Sequence, residues 1–239
     1  MCDSELRPTP GNDASILSDH AAGTRTLSFR PARASDAAAC APLAFASGEH
    51  EFEFFLGVPP AQCVAFLTYA FALRGGRFSW RRHEVAVDAQ GDIVAVLAAH
   101  DGRRILADDL HVVWTLLCHF GPLRALPMLF RGLVLETELP KPKRTQTQLA
   151  HCATLAEARG SGVFTALFEH ALSSAQAGER GLEAPEREIV LDVLVSNTRA
   201  AALYRRLGFV TLPRRRLRSR RLPAQLESVR MRLAARRGV

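Results

Sequence analysis

The feature that most constrains the fold of this chain is a glycine-rich turn between a strand pattern and an amphipathic helix pattern. Residues 149–168 read Leu-Ala-His-Cys-Ala-Thr-Leu-Ala-Glu-Ala-Arg-Gly-Ser-Gly-Val-Phe-Thr-Ala-Leu-Phe. Gly160 and Gly162 permit backbone conformations that other residues avoid. The helix start offers unpaired amides and the positive end of the helix dipole. The pattern is typical of a phosphate-binding turn, although a tight connection without a ligand has the same composition.

A second segment of the sequence narrows the class of protein further. Residues 189–209 read Ile-Val-Leu-Asp-Val-Leu-Val-Ser-Asn-Thr-Arg-Ala-Ala-Ala-Leu-Tyr-Arg-Arg-Leu-Gly-Phe. They indicate a buried strand that ends near Asn197 and a helix that carries Tyr204 on its second turn. In this order and spacing, the two segments resemble the GNAT superfamily of acyl-CoA-dependent N-acetyltransferases. The resemblance extends over roughly residues 26–233.

The resemblance implies a fold and an activity. The expected fold class is α/β (α+β), with a mixed, mainly antiparallel central sheet flanked by helices. The expected reaction is transfer of an acetyl group from acetyl-CoA, the donor cosubstrate, to a primary amine in a ternary complex, without a metal. The cofactor is expected where the strand before Glu157 and the strand 188–195 move apart.

The resemblance also implies roles for individual residues. The family's phosphate loop falls on residues 157–162, where Glu157 replaces the usual Gln or Arg. The main chain of Cys152 and Thr154 is expected to pair with the pantetheine arm and to polarise the thioester carbonyl, and Asn197 to contact the arm. Tyr204 is expected to be the general acid near the sulfur. The amides expected to hold the pyrophosphate are those of Arg159, Gly160, Ser161, Gly162 and Val163.

Two of these residues have simpler alternatives. Tyr204 could be an aromatic residue that only packs its helix on the sheet. Asn197 could cap the helix that begins at Thr198, and capping is compatible with a cofactor contact.

The general base is the least constrained part of the site. On the strand before the phosphate loop, Gln148 occupies a position where the family often has a carboxylate or histidine, and an amide cannot act as a base. His151 lies nearby, but strand alternation places it on the opposite face unless a bulge intervenes. The sequence therefore favours a structural role for His151 and leaves a water-mediated route or another carboxylate open.

The acceptor amine is expected between the first two predicted helices, in residues 48–56. Glu51 and Glu53 could attract a cationic amine, with Gln148 nearby, and Phe54 and neighbouring phenylalanines could form an apolar wall. Alternatively, this segment is a loop whose phenylalanines anchor it to the core.

The chain is expected to form one domain, residues 26–239, after a flexible N-terminal tail, residues 1–25. A helical insertion at 106–135, broken near Gly121, precedes the cofactor-binding strand. Strands are predicted at 26–30, 84–87, 93–99, 145–155, 188–195 and 228–233, and other helices at 35–46, 59–75, 163–177 and 198–207.

Charge and cysteine content limit the possible binding partners and the cellular compartment. The chain has 239 residues and a formal net charge of +7, with 13 arginines and one acidic residue in residues 199–239. Such a basic segment could contact nucleic acid or anionic lipid, but a role around cofactor phosphates or in solubility needs fewer assumptions. The five cysteines are odd in number and widely spaced, which indicates a reducing compartment. With no signal-peptide pattern and no uninterrupted apolar run, a cytoplasmic protein is expected.

Other functions stay open at this point. The Gln148 departure permits a non-catalytic acyl-CoA sensor with the same fold. A nucleic-acid-associated protein is a weaker alternative. The apolar faces of the 106–135 insertion are expected to be buried in the core or in a homodimer contact rather than in a membrane.

Overall fold

The structure is a computed structural model that describes residues 26–176, 187–213 and 220–234. The predicted tail, residues 1–25, lies outside the described residues, as does the end of the predicted helix at Ala177.

Seven strands and seven α-helices are described. The strands are β1 (Ser28–Pro31), β2 (His83–Val87), β3 (Ile93–Asp101), β4 (Gln146–Thr154), β5 (Glu188–Leu194), β6 (Phe209–Thr211) and β7 (Ser228–Leu233). The helices are α1 (Ala37–Ala46), α2 (Glu49–Leu56), α3 (Pro60–Ala72), α4 (Ile105–Phe120), α5 (Pro122–Leu135), α6 (Val163–Gln176) and α7 (Thr198–Arg206).

The strands form one sheet in the order β1-β2-β3-β4-β5-β7-β6. Every neighbouring pair is antiparallel except β4 and β5, which are parallel. The predicted mixed, mainly antiparallel sheet flanked by helices is therefore confirmed. The single parallel pair arises because α6 carries the chain from the end of β4 back to the start of β5, as a parallel connection requires.

Helices cover both faces of the sheet because strand side chains alternate between the faces. On one face, which we call the α6 face, α6 and α7 pack against residues such as Leu97, Leu149 and Leu191. On the opposite face, which we call the α1 face, α1 and α3 pack against Val85 and Val96. A separate apolar cluster joins α1, α2, α3, α4 and α5 beyond the sheet.

Strand β4 contains a bulge next to the centre of the sheet. His151 and Cys152 together oppose the single residue Leu97 of β3, and His151 has a left-handed backbone with φ 49°. An extra residue reverses the alternation beyond it. His151 therefore lies on the α1 face, together with Gln148, whereas Cys152 lies on the α6 face.

Most predicted elements are present, and two were missed. Residues 49–56 form helix α2, where the sequence left open a loop, and the short strand β6 follows Gly208. The predicted break in the insertion is at Gly121, with α4 before it and α5 after it. The first strand begins at Ser28 rather than Thr26.

Helices α4 and α5 leave apolar side chains exposed. Each helix carries one stripe at helical spacing, and the residues are Leu106, Leu110 and Trp114 on α4 and Leu123, Leu126, Phe130 and Leu133 on α5. We call these seven residues the exposed apolar face. Within the described residues, no single helix is long and apolar enough to cross a membrane. Helices α2 and α3 reach that length and hydropathy only when taken together, and an 89° bend separates them.

Candidate functional site

A cleft lies where β4 and β5 separate. The two strands pair only from Gln146 to Leu149 of β4, although β4 continues to Thr154 and β5 to Leu194. The cleft has a volume of about 690 Å³. Its walls come from β4, the following loop, α6, α7 and the end of α1 at Ala46 and Ser47. The divergence predicted from the sequence is thus the origin of the cleft.

The glycine-rich loop forms one end of this cleft. Gly160 and Gly162 have φ angles of 84° and 81°, in the left-handed region, and a Cβ at either position would meet no atom within 4 Å. The two glycines are therefore needed for the backbone conformation and not for space inside the protein. The amides of residues 160–163 have no backbone acceptor within the described part of the chain, whereas the Arg159 amide donates to the Ala156 carbonyl.

Basic side chains line the same cleft. Arg159, Arg199 and Arg206 all line the cleft and are exposed, and Glu169 is the acidic residue among the lining residues. The Nε of Arg159 donates to the Thr154 carbonyl over 3.1 Å. A surplus of positive charge beside free amides at a helix start fits a pyrophosphate or another polyanion.

Tyr204 and Cys152 meet inside the cleft. The Tyr204 side chain is 8% exposed, packs edge-on to Phe164 and Phe209, and its hydroxyl hydrogen-bonds the Cys152 thiol. Burial raises the pKa of Tyr204 well above 10, and burial raises the pKa of Cys152 to about 12. Both groups are therefore protonated at neutral pH, so the Tyr204 hydroxyl has a proton to donate and the Cys152 thiol is a poor nucleophile.

Of the other predicted cofactor residues, Thr154, Val163 and Asn197 line the cleft, whereas Ser161 does not. The Ser161 hydroxyl instead donates to the Ala158 carbonyl over 2.7 Å. The Asn197 Oδ1 accepts from the Ala200 amide over 3.0 Å and caps α7. Capping and exposure to the cleft coexist at Asn197, since its side-chain nitrogen Nδ2 makes no hydrogen bond within the described residues.

The predicted acceptor residues are spread over two regions. On α2, Phe52 packs against His151, but Phe54 packs against a cluster around Leu226. Glu51 is half-buried, its Oε2 atom has no hydrogen-bond partner, and burial raises the pKa of its carboxyl group. The Glu53 carboxylate lies 3.8 Å from Nδ1 of His50. The geometry thus places Phe52, rather than Phe54, beside β4.

Gln148 belongs to a hydrogen-bonded network on the α1 face. Its amide donates to Asp192 Oδ2 over 2.8 Å, and Asp192 also accepts from both Nε and Nη2 of Arg230. Burial raises the pKa of Asp192 while Arg230 opposes that rise. Sequence analysis missed Asp192, although an acidic residue inside the otherwise apolar strand β5 is a usable signal.

Three histidines cluster on the α1 face beside Gln148. His151 stacks on His83 with 5.1 Å between ring centroids, and His100 meets His151 edge-on at 5.6 Å. Burial lowers the pKa of His83 to about 4, of His100 to about 3, and of His151 well below 6.5. Strand alternation predicted that His151 lies on the face opposite Gln148, but the bulge in β4 places both residues on the α1 face. His83 and His100 were not singled out from the sequence.

Comparisons with known proteins agree with this geometry. Residues 123–209 match the family model described as the acetyltransferase (GNAT) family. An N-acetyltransferase from Staphylococcus aureus Mu50 has a similar structure, with a TM-score of 0.64, 17% sequence identity and coverage of 86% of this chain and 99% of that chain. A structure described as histone acetyltransferase HPA2 and related acetyltransferase from Corynebacterium glutamicum ATCC 13032 gives a TM-score of 0.51, 23% identity and coverage of 87% and 96%. No curated protein sequence matches the chain.

The sheet with one diverging parallel pair and a glycine loop at a helix start defines a protein with the GNAT fold. The match of residues 123–209 to the family model agrees with this fold. The resemblance inferred from residues 149–168 and 189–209 is confirmed.

Proposed function

We propose that the chain is an N-acetyltransferase that transfers the acetyl group of acetyl-CoA to a primary amine by direct attack in a ternary complex. The observation that carries this proposal is the cleft between β4 and β5, which has free amides at one end and the Tyr204 hydroxyl inside it. Residues 26–239 would act as a single catalytic domain.

The phosphate end of the cleft fits a nucleotide cosubstrate. Free amides at residues 160–163 can donate to pyrophosphate oxygens. Gly160 and Gly162 adopt left-handed backbone conformations and have no side chain that would keep the ligand from the backbone. Arg199 and Arg206 add positive charge to the same cleft. These features support the proposed roles of residues 159–163, with Arg159 acting through its side chain more than its amide.

The middle of the cleft fits an extended arm. Beyond Leu149, the edge of β4 that faces β5 has no strand partner. A pantetheine arm carries amide groups that can pair with such an edge as an added strand does. Cys152 and Thr154 would supply the main-chain partners, and Asn197 lies across the cleft from them.

The reaction requires little covalent chemistry from the protein. The nitrogen attacks the thioester carbon, the carbonyl oxygen gains negative charge that a main-chain amide of β4 can stabilise, and the C–S bond breaks. Tyr204 then donates its phenolic proton to the departing thiolate. Because burial keeps the Tyr204 pKa high, the hydroxyl is reprotonated readily after transfer.

The acceptor is proposed to be a small-molecule or peptide amine that approaches from the α1 face in the cytoplasm. Phe52 offers an apolar wall there, and the carboxylates of Glu51 and Glu53 on the same helix would favour a cationic group. Gln148 would contribute through its carbonyl oxygen, because its amide nitrogen already bonds Asp192.

The proposed partners are an amine acceptor and a second copy of the chain, with no membrane and no nucleic acid. Part of the basic C-terminal segment is engaged inside the protein, since Arg230 pairs with Asp192 and Arg232 with Glu188. The exposed apolar face supports a homodimer contact, because large exposed apolar stripes mark interaction surfaces.

The test is amine-dependent release of free thiol from acetyl-CoA, with products identified by the mass of an added acetyl group. We expect release with at least one class in a panel of polyamines, amino acids, aminoglycosides and peptide N-termini. Tight binding of acetyl-CoA without turnover on any of these amines would contradict the catalytic proposal and favour the acyl-CoA sensor, which the absence of a base at Gln148 permits.

A further inference from the structure

A chain of hydrogen bonds links His151 to the backbone of the α1 face. Nδ1 of His83 lies 2.8 Å from the Ser79 carbonyl oxygen, and Nε2 of His83 lies 2.9 Å from Nδ1 of His151. His83 is 3% exposed, and Ser79, which precedes β2, is 1% exposed. The chain therefore begins in the core and ends at the half-buried ring of His151.

This geometry fixes which nitrogen of each ring carries a proton. A carbonyl oxygen can only accept, so Nδ1 of His83 donates to Ser79. Because burial lowers the pKa of His83 to about 4, its ring is neutral and its Nε2 is an acceptor. His151 Nδ1 must then donate to that atom, which leaves the lone pair on His151 Nε2. No described residue forms a hydrogen bond with His151 Nε2.

His151 is adjacent in β4 to the main chain proposed to hold the thioester. His151 directly precedes Cys152, which lines the cleft, so the two Cα atoms are about 3.8 Å apart. The bulge turns the His151 ring to the α1 face, where α2 contributes Phe52 and the segment before β2 contributes Phe78 as aromatic neighbours. The His151 ring therefore faces the side of the sheet from which the acceptor amine is proposed to approach.

We propose that His151 is a catalytic residue whose Nε2 takes a proton from the attacking nitrogen, and that His83 is a positioning residue that holds His151 in the required tautomer. The proposal rests on the acetyl transfer proposed above. In this proposal His151, held by His83, is the general base that Gln148 cannot be.

A neutral amine attacks the thioester carbon, so a C–N bond forms and the nitrogen becomes positively charged. His151 Nε2 takes one proton from that nitrogen, the C–S bond breaks, and Tyr204 protonates the thiolate. Tyr204 and His151 then exchange protons with solvent, which returns both to their starting forms. The net products are an amide, free CoA thiol and no change in the enzyme.

A weakly basic imidazole is adequate for this step. Burial and the nearby His83, His100 and Arg77 lower the pKa of His151, which keeps Nε2 unprotonated at neutral pH. A free alkylammonium would not give its proton to such a base. The nitrogen of the tetrahedral adduct is far more acidic, because its carbon bears oxygen and sulfur, and it can.

The first experiment compares turnover of His151→Ala with that of the wild type on an amine that the wild type acetylates. We expect kcat to fall by about 100-fold or more, as loss of a general base does, with acetyl-CoA affinity within about twofold. Added imidazole should restore part of the lost rate, because the deleted ring leaves space on a half-buried surface. His151→Gln serves as a second variant if His151→Ala does not fold.

The control variant is His100→Phe, which disturbs the same cluster but breaks no link between His151 and Ser79. We expect its kcat within about threefold of the wild type. For His83, Phe substitution should lower kcat, whereas His83→Gln should recover much of it because an amide can both donate to Ser79 and accept from His151. Equal losses in His100→Phe and His151→Ala, or no imidazole rescue, would overturn the proposal.

The tautomer is measured separately by nitrogen-15 NMR of the histidine rings. We expect His151 to carry its proton on Nδ1 in the wild type and to lose this preference in His83→Phe. A proton on Nε2 in the wild type would overturn the proposal, whatever the activity. If the wild type acetylates no amine, the proposed function fails, and the NMR result still decides whether the hydrogen-bond chain exists.

Discussion

Tyr204 illustrates how one residue can serve packing and chemistry together. Its ring contacts Phe164 and Phe209, so it stabilises the α7 side of the core, while its hydroxyl reaches Cys152 in the cleft. The two roles can be separated because they belong to different atoms of the side chain.

We predict that Tyr204→Phe slows acetyl transfer while acetyl-CoA affinity stays nearly unchanged. The phenyl ring keeps its packing and only the proton donor is lost. General acid catalysis contributes about 100- to 10,000-fold, and a thiolate is a good leaving group, so a loss near the lower limit is expected. The measurement is kcat under conditions where chemistry limits the rate; full turnover in the variant would show that Tyr204 only packs.

Cys152 is the obvious alternative nucleophile, and its environment argues against that role. With its pKa raised to about 12 by burial, almost none of the thiol is ionised at pH 8. We predict that iodoacetamide modifies the exposed Cys118 much faster than Cys152 at this pH, as peptide mass mapping would detect.

For the same reason, Cys152→Ala should retain acetyl transfer with kcat within about tenfold of the wild type. The replacement keeps the main chain that would pair with the pantetheine arm. An acetylated Cys152 trapped from acetyl-CoA alone, or an inactive Cys152→Ala that still binds acetyl-CoA, would contradict direct transfer.

For individual residues, the sequence predicted the positions that depend on local spacing. The positions of Gly160, Asn197 and Tyr204 follow from one turn and one helix. His151 was assigned to the wrong face because a single extra residue in β4 reverses alternation, and no local pattern reveals a bulge. His83 and Asp192 were missed because their partners, His151 and Arg230, lie 68 and 38 residues away.

Among the helices and strands, too, those set by local signals were predicted and those that depend on distant contacts were missed. Helices α3 and α7 begin and end close to the predicted residues, and α6 begins at the predicted Val163, since helix starts and glycine stops are local signals. Helix α2 was left as a loop because its eight residues, between Gly48 and Gly57, are too short for a clear helical period. Strand β6 has three residues and depends on pairing with β7.

The glycine loop gives a test at the scale of the element. Gly162→Ala places a Cβ on a left-handed residue, which costs roughly 1–2 kcal/mol, and we predict a lower melting temperature together with weaker binding of acetyl-CoA. The measurement is thermal unfolding with and without acetyl-CoA.

Gly91→Ala is the matched control. Gly91 has φ 92°, and a Cβ there also meets no atom within 4 Å, but it lies in the β2–β3 turn and does not line the cleft. It should lose a similar amount of stability and keep the full stabilisation by acetyl-CoA. An equal loss of cofactor stabilisation in both variants would show that the Gly162 effect is only on folding.

The whole molecule has an asymmetric surface. The insertion presents the exposed apolar face, in which Leu123 is 91% exposed and Trp114 66%. The family match begins at residue 123, so α4 lies outside the matched segment.

We predict that the wild type forms a homodimer through this face and that Leu126→Glu converts it to a monomer, because burying an unpaired carboxylate in an apolar contact is strongly unfavourable. Light scattering coupled to size-exclusion chromatography measures the mass. The control is Val210→Glu, on the edge strand β6, where the side chain is 44% exposed. A wild type that is monomeric over the accessible concentration range would contradict this prediction.

Calorimetric titration of acetyl-CoA into the wild-type protein measures whether the cleft between β4 and β5 binds acetyl-CoA. We expect saturable binding with one acetyl-CoA per chain, weakened in Arg199→Glu, whose side chain lines the cleft, and unchanged in Arg103→Glu, which precedes α4 and does not line the cleft. No detectable binding by the folded wild type at millimolar acetyl-CoA would contradict both the catalytic proposal and the acyl-CoA sensor.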